Sequence, residues 1–590
     1  MTDFVVKEFE RYEQHWASRF AEADKVYNSW RNRPPHRDYD WQNAVHVPLT
    51  IEAEQTITPR LHSAMFPNDA PIDVRPVGDT PPEQAVVIRD GVKHYMKVSN
   101  VQGHMLRPVS QAVLFGTGYA EAGSWLTRRG WLVNQRGKRI NTIIENRPDF
   151  KPVSYFEMYP HPAKLYMWDG LPLIRRRFID AETLKKLGDN PQSNFKNLTE
   201  ALNSESPITK ATVFYGQDGK PLEVKKREEY EVLEYWGPWD ASYKDDNGKE
   251  KVKKAIPYWI MVINRKVKIM GIENPYNHQI PPFIKLKGFE DPKPSWFGVG
   301  VGMIGQSTQD RVNKLVNQRL DNVDLCLNKQ GVYDGNDNLL NVRQLMVSKP
   351  GKFHKVSSVQ TSVSVWDFGD VTASSYKEEE LAKQDFKDAT GATIPLQVGS
   401  DISEQHRTAM GIQLLQGAAG ERFKPVLKMM EIDGLQQIAF FYFSNLQQFM
   451  TQAQWIEVFG QDNQPVPFLL TPQALQAQVQ FVPTGISETV SREMQIGQLL
   501  RFREITQNDP TVNRVVINRR IAELFGFKDL QELFVQQQPT EPGGLPQAQQ
   551  QMIRQRLAEG ASPDQIKEEL LGPPPSPEQV QQAQAQAMGA

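Results

Sequence analysis

Between Met303 and Gln330 apolar side chains recur at steps of three and four: Val312, Leu315, Val316, Leu320, Val323 and Leu327 share one stripe. Asp310, Asn313, Lys314, Asn317, Gln318, Asp321 and Asn322 fill the positions between them. The pattern predicts one amphipathic helix of about 40 Å at 1.5 Å per residue, packed by a single seam and turning a broad polar face to water. A similar period over residues 4 to 31 aligns Phe9, Tyr12, Trp16, Phe20, Tyr27 and Trp30 on a helical face, which Pro34 and Pro35 end. A second helix over Thr50 to Met65 leads through Phe66 and Pro67 into the alternating Ile72, Val74 and Pro76, a strand.

From Thr142 to Pro282 the period shortens to two. Val153 to Met158, Leu173 to Ile179, Glu229 to Trp236 and Tyr258 to Ile263 predict short strands between Pro, Gly and Asp turns. Arg175, Arg176 and Arg177 fall in one of them, where a solvated or salt-bridged face is favoured over a phosphate contact. Gly331 to Val371 reads as a small insertion with a turn at Pro350-Gly351, and Tyr376 to Ala389 returns as a charged helix with only Leu381, Ala382, Phe386 and Ala389 to bury. A loop from Thr390 to Gly399 follows, then Asp401 and Glu404 at capping-box spacing. Glu421 to Met450 predicts a long apolar helix kinked near Pro425. Residues 484 to 535 predict two or three short helices, with Asp509 and Pro510 at one start and Gly526 at an end. The Gln, Pro and Ala of residues 536 to 590 bury too little to offset ordering entropy, so disorder or an extension stabilised only by oligomerisation is expected. The sum is an α+β chain, mainly helical, and its 590 residues exceed a single core.

Charge and candidate chemistry narrow the function. Sixty-eight Lys and Arg against 70 Asp and Glu argue against gripping nucleic acid through a strong overall field, while allowing it to slide past. Cys326 stands alone, so no disulfide or cysteine zinc cluster forms within the chain, and its Leu neighbours suggest a packed thiol. Met1 to Arg33 lacks signal-peptide character and no apolar run approaches a membrane span. Phosphate-loop, H-E-x-x-H, G-x-S-x-G and EF-hand motifs do not occur, and the histidines are scattered. No catalytic residue, metal site or cofactor is therefore expected. One alternative stays open: Gly300, Gly302 and Gly305 spell G-x-G-x-x-G at a helix start, as in a nucleotide-dependent oxidoreductase. Against it, Pro292 and Pro294 occupy the place of the required strand, and the turn-rich GVYDGNDN after the helix closes no βαβ unit. A non-ring structural or scaffold protein is the other alternative.

The order of these features resembles the portal, or head-to-tail connector, of short-tailed, podovirus-type bacteriophages over roughly residues 1 to 535. Met65-Phe66-Pro67 before a strand resembles a wing-domain corner, and Leu114 to Gly118 resembles the glycine turn after the next wing helix. Tyr159-Pro160-His161-Pro162-Ala163 followed by Arg175 to Arg177 resembles a wing strand pair, with His161 where aspartate is usual. Thr408-Ala409 matches the start of the helix after the tunnel loop, but Met410-Gly411 replaces the acidic residue that should follow. The resemblance implies a wing over 1–295, a first stem helix over 296–330, a clip over 331–372, a second stem helix over 373–390 and a tunnel loop over 391–405. It further implies a long wing helix over 406–460, a helical crown over 461–535 and a tail over 536–590. It implies a homododecameric ring at a unique capsid vertex of the virion, assembled in the host cytoplasm with scaffold and major capsid protein and without a membrane partner. Double-stranded DNA would pass through the ring during packaging and ejection, with Gln397, Ser400, Gln405, His406 and Arg407 lining the tunnel. Tyr333, Asp334, Lys349, Lys352 and His354 of the clip would dock the terminase large subunit and later the tail adaptor.

Overall fold

A computed structural model describes residues 1–484 apart from 68–69, 134–136, 189–194, 205–213, 216–220, 223–228, 245–249, 329–330, 338, 346–352, 354, 361–362, 367–371, 393–421 and 460–464, together with 499–500, 502–503 and 514–525. The chain divides into two units, Met1–Glu493 and Met494–Ala590. The second contributes the helix Arg514–Phe525 and the helical residues 499–500 and 502–503.

The first unit mixes helix and sheet. Helix α1 (Thr2–Trp30) buries Val5, Phe9, Tyr12, Ala23 and Val26 and ends just before the paired prolines. Helix α2 (Leu49–Met65) is followed by the strand Ile72–Pro76, then α3 (Pro82–Val98), whose first position holds a proline that has no intrahelical N–H bond to lose. Asn100 opens α4 (Val101–Phe115) by accepting from Gly103 N, and Gly116 closes it in the left-handed conformation at φ 80°.

A five-stranded antiparallel sheet runs in the order Val267–Glu273, Glu250–Ile263, Glu229–Lys244, Leu173–Asp180, Met158–Pro160. Strand alternation sends Leu233, Tyr235, Ile260 and Val262 to one face, where they pack with Val5, Phe9 and Tyr12 of α1. Val232, Met261 and Ile263 face the other side, with Leu184 of helix α5 (Ala181–Gly188) and Ala201 of helix α6 (Leu198–Asn203). The three arginines of this sheet are spent on carboxylates. Arg175 pairs with Glu121 and Glu157 at 3.0 Å, Arg176 with Glu13 at 2.9 Å and Glu231 at 2.7 Å, and Arg177 with Glu234 at 2.5 Å. Arg265 also reaches the fully buried Glu231, at 2.9 Å. The salt-bridged alternative is the one realised, and these arginines do not present a phosphate site.

A second sheet orders Phe283–Lys287, Thr117–Glu121 and Lys151–Val153. Between them a separate hairpin pairs Trp125–Val133 with Arg139–Pro148. The main core joins α2, α3 and α4 to the apolar helix near residue 440. That helix departs from expectation. It begins at Lys424, so Pro425 lies in its first turn and kinks nothing. Its irregularity is a π-helical stretch, Glu431–Gln436, between α10 (Lys424–Met430) and α11 (Gln437–Phe449). A Cβ on Gly434 of this stretch would come within 2.7 Å of Leu286, so the glycine lets the helix lie close to the sheet. Strands, not helix, occupy the described residues on both sides of the expected boundary at 460. Gln454–Phe459 pairs with Pro465–Leu470, and Val479–Pro483 pairs with Ile72–Pro76, returning the end of the unit to its beginning. Phe481 and Leu470 are buried there, and burying such side chains favours a strand wherever a neighbouring edge is available.

Lys285 lies inside this core. Its Nζ donates to Leu165 O at 2.6 Å and sits 4.0 Å from the Trp296 ring centre. Burial, reinforced by the nearby Lys287, pushes its pKa down to about 7. An unfolded lysine holds its proton to about pH 10. Between those values the unfolded chain binds more protons, so stability rises with pH there, while below the folded value both states are charged and the full penalty persists. The melting temperature of the wild type is expected to rise relative to that of Lys285→Met from about pH 6 to about pH 9. Parallel curves in a melting series would contradict the buried-ammonium account.

Candidate assembly site

Helix α7 (Val301–Leu327) is the long rod anticipated from the period, and it packs against α9 (Thr372–Thr390). Between them in sequence, helix α8 (Val342–Leu345) and the strand pair Gly331–Tyr333 with Val363–Val365 form the small insertion. Arg311 bridges Glu378 at 2.9 Å and Asp385 at 3.3 Å, while Arg319 bridges Glu379 at 2.5 Å and lies over Tyr376 at 4.1 Å. Burial works against the Glu379 charge, but hydrogen bonds from Lys383 and Arg319 outweigh it and hold the carboxyl below its ordinary range.

The apolar stripe is not covered along its whole length. Val312 and Val316 are buried and Leu315 and Leu320 pack against the core, but Val323 is 40% exposed and Leu327 is 74% exposed. The polar face is not all turned to water either, contrary to the amphipathic expectation. Gln309, Asn313 and Asn317 are buried against the extended segment 43–48 and the start of α2. Asn317 accepts from Val45 N at 2.7 Å and donates to Val45 O at 2.8 Å. Asn313 accepts from Val47 N at 2.9 Å, and Gln309 donates to Val47 O at 2.7 Å while accepting from Thr50 N at 3.1 Å. Asp321 continues the row by accepting from Asn43 N at 2.7 Å. Burial lowers the His46 pKa, which suits its ring to accept from Asn313 Nδ2 at 2.9 Å. Four side chains at a four-residue step thus act as a strand edge, satisfying backbone groups along a mostly part-buried seam that has no neighbouring strand to pair with among the described residues. The signal was present in the sequence as a row of amides where surface helices carry charge.

The glycine cluster at the head of α7 is a packing device. Gly116 O accepts from Gly288 N at 2.9 Å, and Gly298 N donates to Thr117 Oγ1 at 3.0 Å. A Cβ on Gly300 would overlap Leu114 O and lie 2.5 Å from Gly116 N; one on Gly302 would meet Val26 Cγ1 at 2.5 Å; one on Gly305 would overlap Phe386. Protein atoms fill the space that a dinucleotide pyrophosphate needs in the fingerprint motif. The preceding segment forms only an isolated bridge, Phe289 with Val299, so the βαβ unit is absent. The oxidoreductase alternative loses its only motif. Among the described residues, no group of three or more His, Cys, Asp or Glu side chains could hold a metal ion, and no helix is long and apolar enough to cross a membrane.

Residues 132–589 match the family described as Phage SU10 portal protein. The chain belongs to this portal family. The match spans most of the chain and takes in α7, the insertion and α9. No curated protein matches the sequence. As a podovirus-type portal, it is a structural phage protein and a component of a capsid-associated oligomer, in a family that is no known enzyme class. Of the portal site residues anticipated from sequence, Tyr333 and Asp334 lie together at the exposed end of the Gly331–Tyr333 strand, where Asp334 accepts from Asn336 N at 2.9 Å. Lys349, Lys352 and His354 lie outside the described residues, as do Gln397, Ser400, Gln405, His406 and Arg407.

Proposed function

We propose that the chain forms a homododecameric ring at a unique capsid vertex, a conduit through which double-stranded DNA is packaged and later ejected. The observation that carries this reading is the portal family match over 132–589, which includes a long helix, an exposed insertion and a return helix in sequence. Helices α7 and α9 would be the stem, and the insertion between them the clip. Residues 391–405 would be the tunnel loop, with Gln397, Ser400, Gln405, His406 and Arg407 making hydrogen bonds to phosphate that do not depend on base sequence. The exposed Val323 and Leu327 supply apolar surface for packing between stems, which supports assembly through this half of α7. The ring assembles with scaffold and major capsid protein in the host cytoplasm. The mass and rotational symmetry of the purified assembly, by native mass spectrometry and negative-stain class averages, test the proposal directly. A chain that stays monomeric at high concentration would refute it.

The clip would dock the terminase large subunit during packaging and the tail adaptor afterwards, through Tyr333, Asp334, Lys349, Lys352 and His354. Lys349→Glu with Lys352→Glu is expected to leave the ring intact and weaken capture of both partners, since charge reversal acts mainly on complementarity. Undiminished pull-down of both would remove these lysines from the docking surface.

A further inference from the structure

The hairpin Trp125–Pro148 is fixed to the body at its base and bare beyond it. At the base, Ser99 Oγ donates to Pro148 O at 2.9 Å, Arg147 donates to Ser99 Oγ at 3.1 Å, and the Trp125 ring lies 5.3 Å from that of Phe449. Beyond it the two strands pair only with each other. A two-stranded ribbon is marginal by itself in water and leaves both edges open to pairing.

Its far half is apolar on both faces. Leu132 stands opposite Ile140 in the register, and the Ile144 side chain lies across Gly130 on that same face. Trp131, Val133 and Ile143 occupy the other face, Trp131 opposite Asn141 and Val133 opposite Arg139. All six are large exposed hydrophobics, with Trp131 67% exposed. Each face thus carries a cluster of three bare apolar side chains, the kind of contiguous exposed patch that marks a protein-contact surface. The ribbon is also basic: Trp125 to Pro148 contains six Lys or Arg and one acidic residue, Glu145.

The same unit carries a surface of the opposite character. The strand pair Gln454–Phe459 with Pro465–Leu470 buries Ile456 and Leu470 on its inner side and turns the cross-strand pair Trp455 and Leu469 outward, Trp455 71% exposed. By sequence its two strands carry one acidic residue, Glu457, and no basic one, and in the segment Ile72 to Asp90, which includes the start of the adjacent α3, Arg89 pairs with Asp73 and Asp90, leaving Asp79 and Glu83 against Arg75.

We infer that the Trp125–Pro148 hairpin is an intersubunit arm that docks on the acidic, apolar surface around Trp455 and Leu469 of a second copy of this chain. Two different surfaces of one chain then meet head to tail, the contact type that generates a ring when its rotation closes. The inference rests on the ring reading above, which family membership alone does not reduce to particular residues. Exposed aliphatic side chains on both faces favour a protein surface over a nucleic acid, which would leave them in water.

The test uses the full chain. Trp131→Ser, Val133→Ser and Ile143→Ser together remove one apolar face without touching the base of the hairpin. Expected is a folded protein, with wild-type circular dichroism, that sediments as monomer at a concentration where the wild type is fully assembled. In a second experiment Trp131→Cys and Trp455→Cys, each in a Cys326→Ser background, are expected to give a disulfide-linked dimer when co-expressed and oxidised, and none when either is expressed alone. Full assembly of the triple variant overturns the inference, as does absence of the mixed cross-link. Salt-sensitive binding of a DNA duplex that disappears in the triple variant while assembly persists would also overturn it, assigning the hairpin to nucleic acid. A wild type that never assembles would defeat the ring reading itself, a result distinguishable from failure of the arm alone.

Discussion

Alanine at position 116 is expected to destabilise the Met1–Glu493 unit by about 3–5 kcal/mol, combining the left-handed backbone penalty with overpacking against neighbouring backbone. Gly116 sits at φ 80°, and a Cβ there would overlap the carbonyl of Gly298 and approach Gly300 N at 2.7 Å. Neither neighbour is the far end of a flexible side chain, so little can give way. Gly78 provides the control, because it too has positive φ, 62°, but has nothing within 4 Å of a built Cβ. Gly78→Ala should therefore lose only about 1 kcal/mol, the backbone share. Urea unfolding of both variants measures the difference, and equal midpoints would mean that the junction of α4 and α7 is not close-packed. The same series addresses the oxidoreductase alternative, since a nucleotide that bound the folded state would raise the wild-type melting temperature on addition. No such rise is expected.

Asn317→Ala is the second large effect, about 2–4 kcal/mol, because the variant leaves both Val45 N and Val45 O without their partner in a partly buried setting. The loss should be local in its first consequence. Amide exchange at Val45 and Val47 is expected to accelerate before that of the Val232 and Leu233 sheet core, since segment 43–48 is held to α7 by these side chains while the sheet has its own ladder. Asn313→Ala should behave alike through Val47 N. Unchanged protection at Val45 in Asn317→Ala would show that another group takes over the role and would leave the amide row without structural purpose. A full-length loss of cooperativity, by contrast, would place the segment within the core of the folding unit.

Several elements were legible because a periodic pattern is itself a statement about burial. The aromatic face of α1, the rod of α7, the charged α9 and three of the four anticipated strands of residues 153–263 correspond to observed elements, and the salt-bridged arginines were the favoured outcome for their strand. The fourth, Val153 to Met158, is instead a 3-10 turn, Tyr155–Glu157, between the end of one strand and the start of the next. The glycine cluster was discounted as a nucleotide site on the prolines before it, and its true role as a close approach to Leu114 and Gly116 depends on a contact nearly two hundred residues away in sequence. The strands at 454–470 and 479–483 were missed for a related reason. Short apolar runs fit helix or strand equally well until a partner edge is known: Gln454–Phe459 and Pro465–Leu470 supply each other's edge, and Ile72–Pro76 supplies that of Val479–Pro483 from far earlier in the chain.

By itself the sequence determined which side chains share a face, where proline and glycine punctuate the chain, and, through the order of its elements, the portal family it resembles. Only the tertiary structure decided what each face meets. Gln309, Asn313 and Asn317 carry the same spacing whether they point to water or to a backbone edge, because helical period specifies direction around an axis and nothing about the neighbour. The choice depends on whether segment 43–48 can bring unpaired N–H and C=O groups to that row, and such pairing between distant segments is a property of the folded chain.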